Sequence, residues 1–216
     1  MTQSMDAGDA AHRVDEPEAA VRPGGKGRIV TVRHGRPALD RDVVISAREY
    51  GRWWSDYDLS GLADGQTAPS DLVALASAAT TVLSSDLPRA METARHVTQG
   101  RRAVPADPLY VEAPLPPPPV PFLKLRPGQW GVVSRSFWFW GYAPRGVETH
   151  PAAWRRVAAI ADRLAAHADQ GDVMLCAHGY LNWMITRRMR TIGWRLADRR
   201  GGNNYWSWRV FERATA

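Results

Sequence analysis

Arg28-Ile29-Val30-Thr31-Val32-Arg33-His34-Gly35 is the stretch that decides the fold of this 216-residue chain. It is a short β-branched run, bounded by Gly27 before it and by three polar or small residues after it, which reads as a buried strand ending in a turn. The arrangement recurs. Asp172-Val173-Met174-Leu175-Cys176-Ala177 is a continuous apolar run that stops at His178-Gly179, and Thr80-Thr81-Val82-Leu83-Ser84 leads into Ser85-Asp86-Leu87-Pro88-Arg89. Helices are expected between these runs: from Ser46 into Trp53-Trp54, from Ser70 as N-cap through Ala78, and from Asp86-Leu87-Pro88 through Arg95. Residues 152–168 carry Trp154, Val157, Ile160 and Leu164 at helical spacing, and a further helix is expected after His178. Tyr205 to Phe211 alternates and reads as an edge strand with Trp206, Trp208 and Val210 on one core face. Strands without alternation, separated by helices, imply a mainly parallel sheet covered on both faces, a three-layer α/β/α sandwich.

Composition limits the classes open to the chain. At 44% apolar it can bury one sizeable core, which assigns residues 27–216 to a single domain. Residues 1–26 are polar, acidic and closed by PGGKG, and read as a disordered leader. No apolar run approaches the ~18 to 20 residues of a bilayer span, and the start lacks an apolar signal stretch, so integral membrane association is not expected and the cytoplasm is the default compartment. Cys176 is the only cysteine, which excludes an intramolecular disulfide framework and a cysteine-based zinc site; on a buried strand it reads as an inert core thiol. The net charge is +6, and because residues 1–26 hold five acids and three bases, residues 27–216 carry +8, nearly all of it arginine. A basic surface attracts phosphorylated small molecules and nucleic acid alike, but no RNA-recognition motif accompanies it, so no nucleic-acid partner is expected.

Two segments fall outside the strand–helix pattern. Residues 105–121 hold a run of prolines that fits neither helix interior nor central strand and reads as an extended loop. Phe137-Trp138-Phe139-Trp140-Gly141-Tyr142 is aromatic at nearly every position. Together they mark an insertion over about residues 113–145.

The chemistry lies at the strand ends. Arg33-His34, Arg89 and His178 would meet where the carboxyl ends of the strands form a crevice. Neutral histidine is nucleophilic, arginine pairs bidentately with phosphate oxygens, and helix N-termini add N–H donors. Such a cationic pocket suits phosphoryl transfer through a phosphohistidine. Metal binding is the competing reading of two histidines, but neighbouring guanidinium groups would repel the cation, so no cofactor or metal is expected.

Four segments, in order, resemble the motifs of the histidine phosphatase superfamily, also called phosphoglycerate mutase-like. Val32-Arg33-His34-Gly35 resembles its RHG signature. Ser84 through Ala94 resembles its S-x-L-x-R-A-x-x-T-A segment with a one-residue difference of phase at the serine. Leu109-Tyr110-Val111-Glu112 resembles the stretch presenting its acid, and Ala177-His178-Gly179 resembles the segment of its second histidine. The resemblance implies a metal-independent phosphatase in which His34 is the nucleophile, Glu112 the general acid, and Arg33, Arg89 and His178 hold the phosphoryl oxygens. Glu148 resembles a further family acid, with a helix N-terminal charge as its alternative role. Arg36, Pro37 and Asp40 depart from the family pattern after the RHG, and Arg36 is a candidate to compensate. His12, His96, His150 and His167 have no motif and read as surface or helix-face residues.

The implied substrate is a small phosphate ester. A phosphomutase, a protein-phosphohistidine phosphatase and a non-catalytic phospholigand-binding scaffold are the alternatives, and a homodimer is left open. The insertion would form a cap setting specificity, with Arg126, Trp130, Trp138 and Trp140 as candidate residues of an apolar, basic mouth for a hydrophobic ester; burial on the core or at an interface is the other role for these aromatics.

Overall fold

The computed structural model describes residues 27–214, so the leader read in residues 1–26 lies outside the described residues. The elements run β1 (Ile29–Arg33), β2 (Ile45–Ser46), α1 (Ala47–Leu59), α2 (Ser70–Ala78), β3 (Thr81–Ser84), α3 (Pro88–Val97), a 3-10 turn at Pro108–Tyr110, β4 (Lys124–Leu125), α4 (Pro127–Phe139), α5 (His150–Ala168), β5 (Val173–Ala177), α6 (Gly179–Thr191), β6 (Trp194–Arg200) and β7 (Trp208–Arg213). The five-stranded sheet has the order β3-β5-β1-β7-β6.

β1 and β5 lie side by side in parallel, and every residue of β5 is buried. Alternate residues serve opposite faces, which is why the sequence shows no polar alternation. Ile29, Val173, Leu175 and Ala177 pack with α5 and α6 through Val157, Ile160, Leu164, Leu181 and Met184. Val30, Val32, Met174 and Cys176 pack on the other face with Leu72 and Ala76 of α2 and Ala94 and Val97 of α3. The expected three layers are therefore present. Burial pushes the Cys176 thiol up to about 12, as an unreactive core residue requires.

The sheet is mixed beyond β1. β7 runs antiparallel to both β1 and β6, so it is an interior strand and β6 forms the edge, in contrast to the edge position expected for the Tyr205–Phe211 run. A short loop joining two adjacent strands permits only an antiparallel pair. β6, Trp194-Arg195-Leu196-Ala197-Asp198-Arg199-Arg200, escapes sequence reading because an edge strand needs few apolar residues and this one is mostly charged. Trp206 is not a residue of that strand face. It precedes β7 with a φ of 60°, half-buried, its indole under the Arg33-His34-Gly35 turn.

Local signals set several helix starts. Ser46 caps α1 in a capping box with Glu49, whose carboxylate accepts the Ser46 N–H at 2.8 Å. Ser70 is instead the first residue of α2, behind Pro69, and makes no side-chain cap bond.

The aromatic segment is helical. In α4, Pro127, Trp130, Ser134 and Trp138 recur at three- and four-residue spacing and form its buried face. Trp130 packs with Tyr50, Trp53 and Tyr57 of α1 in a separate small core, its ring 5.8 Å from that of Tyr50, and donates from Nε1 to the Ile45 carbonyl at 2.7 Å. Trp138 joins the main core on the α5/α6 side and donates to the Glu148 carbonyl at 2.8 Å.

Candidate active site

The carboxyl ends of β1, β3 and β5 open into a cavity of about 630 Å³ whose lining includes Arg33, His34, Arg89, Glu112 and His178. The five candidate residues drawn from four separate segments are thus brought to one place. His34 is 2% exposed and its ring centroid lies 5.3 Å from that of His178, which is fully buried.

The turn after β1 aims the imidazole of His34. Its Nδ1 lies 2.7 Å from the Gly35 carbonyl; a carbonyl can only accept, so Nδ1 carries the proton and Nε2 holds the free lone pair. The turn is pinned from beneath. Gly35 N–H donates to Thr93 Oγ1 at 2.9 Å, Thr93 donates on to the Arg89 carbonyl at 2.7 Å, and a Cβ on Gly35 would stand 2.5 Å from the Trp206 ring, so only glycine fits. Gln66 fastens this support by accepting from Trp206 Nε1 and from the Arg36 N–H.

Each arginine is held by part of its guanidinium, leaving another part free. Arg89, at the start of α3 and fully buried, donates to the Tyr57 carbonyl at 2.8 Å and to Asp58 Oδ1 at 3.0 Å, while its Nε has no partner. Arg33 donates to the Asn203 carbonyl and stacks over Tyr205, and its Nε is likewise buried and unpartnered. Gly179 permits this approach, since a Cβ there would lie 3.1 Å from Arg33 Nε. His178 pairs its Nε2 with Ser85 Oγ at 2.9 Å and leaves Nδ1 buried without a partner. Buried polar groups left unpaired cost about 1–3 kcal/mol each, so three of them around one cavity are groups that a bound anion can satisfy.

Electrostatics keep both histidines neutral. Burial, reinforced by Arg89, holds His34 well below its usual 6.5; burial also lowers His178, with His34 and Arg89 adding to the effect. Glu112 follows the 3-10 turn, and its carboxylate accepts the Tyr180 N–H on Oε2 at 3.0 Å and the Leu181 and Ala113 N–H groups on Oε1 at 2.8 and 3.0 Å. It therefore sits at the N-terminus of α6, where negative charge is favoured, and Oε2 keeps a lone pair beyond its single N–H.

The other candidates separate. Trp140 lines the cavity at 84% exposure. Arg126, Trp130 and Trp138 do not: Arg126 is an exposed N-cap of α4, and the two tryptophans are fully buried core residues. The reason is helical phase, because residues 130, 134 and 138 face inward, leaving Gly128, Gly131, Val132, Arg135, Ser136 and Phe139 on the cavity wall. Glu148 is also away from the cavity. It forms a bidentate pair with Arg156 at 2.9 and 2.8 Å, and Arg156 grips the Leu109 and Val111 carbonyls, so Glu148 acts two steps behind Glu112. Arg36 is exposed and absent from the lining, whereas Arg41 is present there, bonded to the Tyr205 hydroxyl at 2.7 Å. Tyr57, Trp183, Ser207 and Arg209 were also missed by sequence reading. For the α4 residues the three-and-four spacing was the available signal. The β7 residues gave none, because their approach to β1 is a long-range pairing. Among the described residues no group of three or more His, Cys, Asp or Glu side chains is placed to hold a metal ion.

Residues 129–215 match the family model of the histidine phosphatase superfamily (branch 1). That stretch contains His178 and begins after His34, Arg89 and Glu112. The fold is similar to that of a mycobacterial glucosyl-3-phosphoglycerate phosphatase solved with VO3, at 20% identity and a TM-score of 0.54 over 88% of this chain and 99% of that one. It is also similar to mycobacterial hydrolase 1, at 20% identity and a TM-score of 0.52 over 86% and 89% of the two chains. A third similar structure is the ecdysone phosphate phosphatase from Bombix mori in complex with tungstate, at 13% identity and a TM-score of 0.50 over 88% and 92%. No curated protein sequence matches the chain.

Proposed function

We propose that this chain, which by fold and by the sequence of residues 129–215 belongs with the histidine phosphatase superfamily, hydrolyses phosphate monoesters of small molecules through a phosphohistidine on His34. The observation that carries this reading is the free lone pair of His34 Nε2 in a cavity where the Nε–H groups of Arg33 and Arg89 and the Nδ1 of His178 are buried without a partner. Nε2 attacks phosphorus as the P–O bond to the leaving group breaks, and the guanidinium groups and His178 meet the charge on the oxygens as it develops. Glu112, with its proton on Oε2, gives that proton to the departing oxygen. Its carboxylate then takes a proton from water as the water oxygen attacks the phosphohistidine, releasing inorganic phosphate and restoring neutral His34. Five arginines on the cavity wall make it hostile to a metal cation, which supports a metal-independent route.

The similar structures named as phosphatases support the reaction class, while their printed substrates differ, so the substrate is read from the cavity itself. Val132, Phe139, Trp140 and Trp183 are exposed apolar side chains on its wall. They favour an ester whose alcohol is apolar, the hydrophobic substrate expected from sequence, served by Trp140 and not by the buried Trp130 and Trp138.

Quenching under neutral or basic conditions during turnover of a ³²P-labelled ester should trap an acid-labile phosphoryl group on the protein. His34→Ala should abolish both the label and the activity. Retention of full activity in that variant, or a dependence on Zn²⁺ or Mg²⁺ after chelation, overturns the mechanism.

A further inference from the structure

α4 has two apolar faces, and only one of them is covered. Trp130, Ser134 and Trp138 turn into the protein, whereas Val132, Phe139 and the C-cap residue Trp140 stand between 59% and 84% exposed on the cavity wall. Trp183 of α6 lines the same cavity, stacked 5.1 Å from Tyr180 and with the Arg187 guanidinium 5.2 Å from its ring. A helix on the surface of a globular domain gives its outward face to polar side chains. Here the outward residues are large, apolar and gathered at one mouth, which marks a contact surface rather than scattered exposure.

The two segments that form the mouth carry charge of one sign. Residues 113–147, which include α4, hold four cations and no aspartate or glutamate, and α6 holds Arg187, Arg188 and Arg190 and again no acid. Arg126, Arg145, Arg187 and Arg190 are exposed and have no ion-pair partner among the described residues. A second copy of the chain fits this face poorly, because an isologous pair would set its arginines against themselves with no carboxylate to meet them. A protein partner seated here would close the opening. A bilayer with anionic headgroups answers both features, since aromatic side chains settle at the boundary between headgroups and acyl chains and arginines are drawn to the negative surface. The cavity also continues the polarity of a leaflet. Its floor holds Arg33 Nε, Arg89 Nε and His178 Nδ1 unpartnered and its rim is apolar, so an amphiphile can rise head first to the floor while its tail still lies among lipids.

We propose that the mouth between α4 and α6 docks on an anionic membrane surface, with Phe139, Trp140 and Trp183 at the headgroup boundary, and that the ester is an amphiphilic phosphate taken directly from the leaflet. The choice of ester rests on the phosphatase reading; the docking does not. No described helix is long and apolar enough to cross a membrane, so the contact is a face lying on the surface.

Flotation of the full chain with vesicles tests the docking. Phosphatidylcholine vesicles containing one-third phosphatidylserine should bind it at least ~10-fold more tightly than phosphatidylcholine alone, the worth of one or two arginines at a charged surface, and added salt should weaken that binding. Trp140→Ala and Arg187→Glu should each loosen it by ~5- to 10-fold. Arg187 lies off the cavity wall, so its variant should keep its rate on propyl phosphate in solution. Failure of the unmodified chain to bind the anionic vesicles overturns the docking, a result that needs no variant to fold, and so does binding that both variants leave intact. If light scattering instead shows a dimer that Trp140→Ala dissociates, with no vesicle binding, the face is a self-interface and the proposal fails. Dodecyl phosphate carried in the vesicles and propyl phosphate in solution are then offered as substrates. Hydrolysis of neither, with vesicle binding intact, removes the phosphatase reading and leaves the docking surface; hydrolysis of propyl phosphate without vesicle binding does the reverse.

Discussion

The floor of the cavity and its aromatic wall are built on opposite terms. On the floor, polar nitrogens are buried unsatisfied: Arg33 Nε, Arg89 Nε and His178 Nδ1 have no partner among the described residues. In the wall's supporting core the largest side chains pack ring on ring, with Trp53 stacked 5.0 Å from Tyr57 and Tyr50 stacked between Trp53 and Trp130, and the polar atoms left without a partner there are neutral hydroxyls, Tyr50 Oη and Ser134 Oγ. The difference teaches that the floor gathers unpartnered cationic and imidazole nitrogens facing one cavity, and that a dense aromatic sequence by itself signals packing.

The sharpest way to break this contrast is at Glu112, where a cap and a proton donor share one carboxylate. If it donates the proton, Glu112→Gln slows hydrolysis of an alkyl phosphate by ~10² to 10⁴ and of p-nitrophenyl phosphate far less, because that leaving group departs without a proton. Steady-state rates on the two esters decide it, and equal losses reduce Glu112 to a support for α6. On the wall side, Trp130→Ala should cost about 3–5 kcal/mol in denaturant unfolding, since it empties the middle of the small core between α1 and α4. A loss below about 1 kcal/mol would mean that this core does not hold the wall.

Protonation gives a third contrast, confined to the floor. Buried His34 and His178 resist protonation in the folded state, whereas the unfolded chain takes up protons near 6.5. The unfolded state therefore binds more protons below that pH, and stability must fall as pH drops, by up to ~1.4 kcal/mol per pH unit for each histidine until its folded pKa is reached. Unfolding followed between pH 7 and 5 should show this slope reduced in His178→Gln. The same shift keeps His34 nucleophilic through pH 6, so kcat/KM should not fall with a pKa of 6.5. The smallest expected effect on stability is at Trp140, 84% exposed: Trp140→Ala should change stability by less than about 0.5 kcal/mol. It should nonetheless raise KM for long-chain alkyl phosphates more than for short ones, and a uniform change across chain lengths would remove Trp140 from substrate binding.

The legible parts of the molecule were those in which neighbouring residues carry the information. Val173 to Ala177 announced a strand buried on both faces, and the histidine immediately after it marked a strand end with chemistry. Arg89 was legible because proline opens its helix directly after the β3 turn. What stayed hidden depends on partners distant in the chain. The antiparallel placement of β7 is fixed by pairing across the sheet, so Arg209 and Ser207 could not be brought to the site from sequence. Trp130 and Trp138 were misplaced for a different reason: the apolar residues on both sides of α4 mask the phase that turns one face to the core and the other to the cavity.

The sheet order has a consequence for how the chain is made. β1 lies between β5 and β7, so on a ribosome this strand acquires neither neighbour until residues 173–177 and then 208–213 have been synthesised. At ordinary rates of ~5–20 residues per second, that interval lasts roughly ten seconds or longer. Through it the apolar Ile29–Val32 run has two open edges, the condition under which nascent strands pair with the wrong chain. Nascent chains should therefore need a holding chaperone more than refolding full-length chains do, and a circular permutant that starts between α5 and β5 would make the three central strands neighbours in time as well as in space.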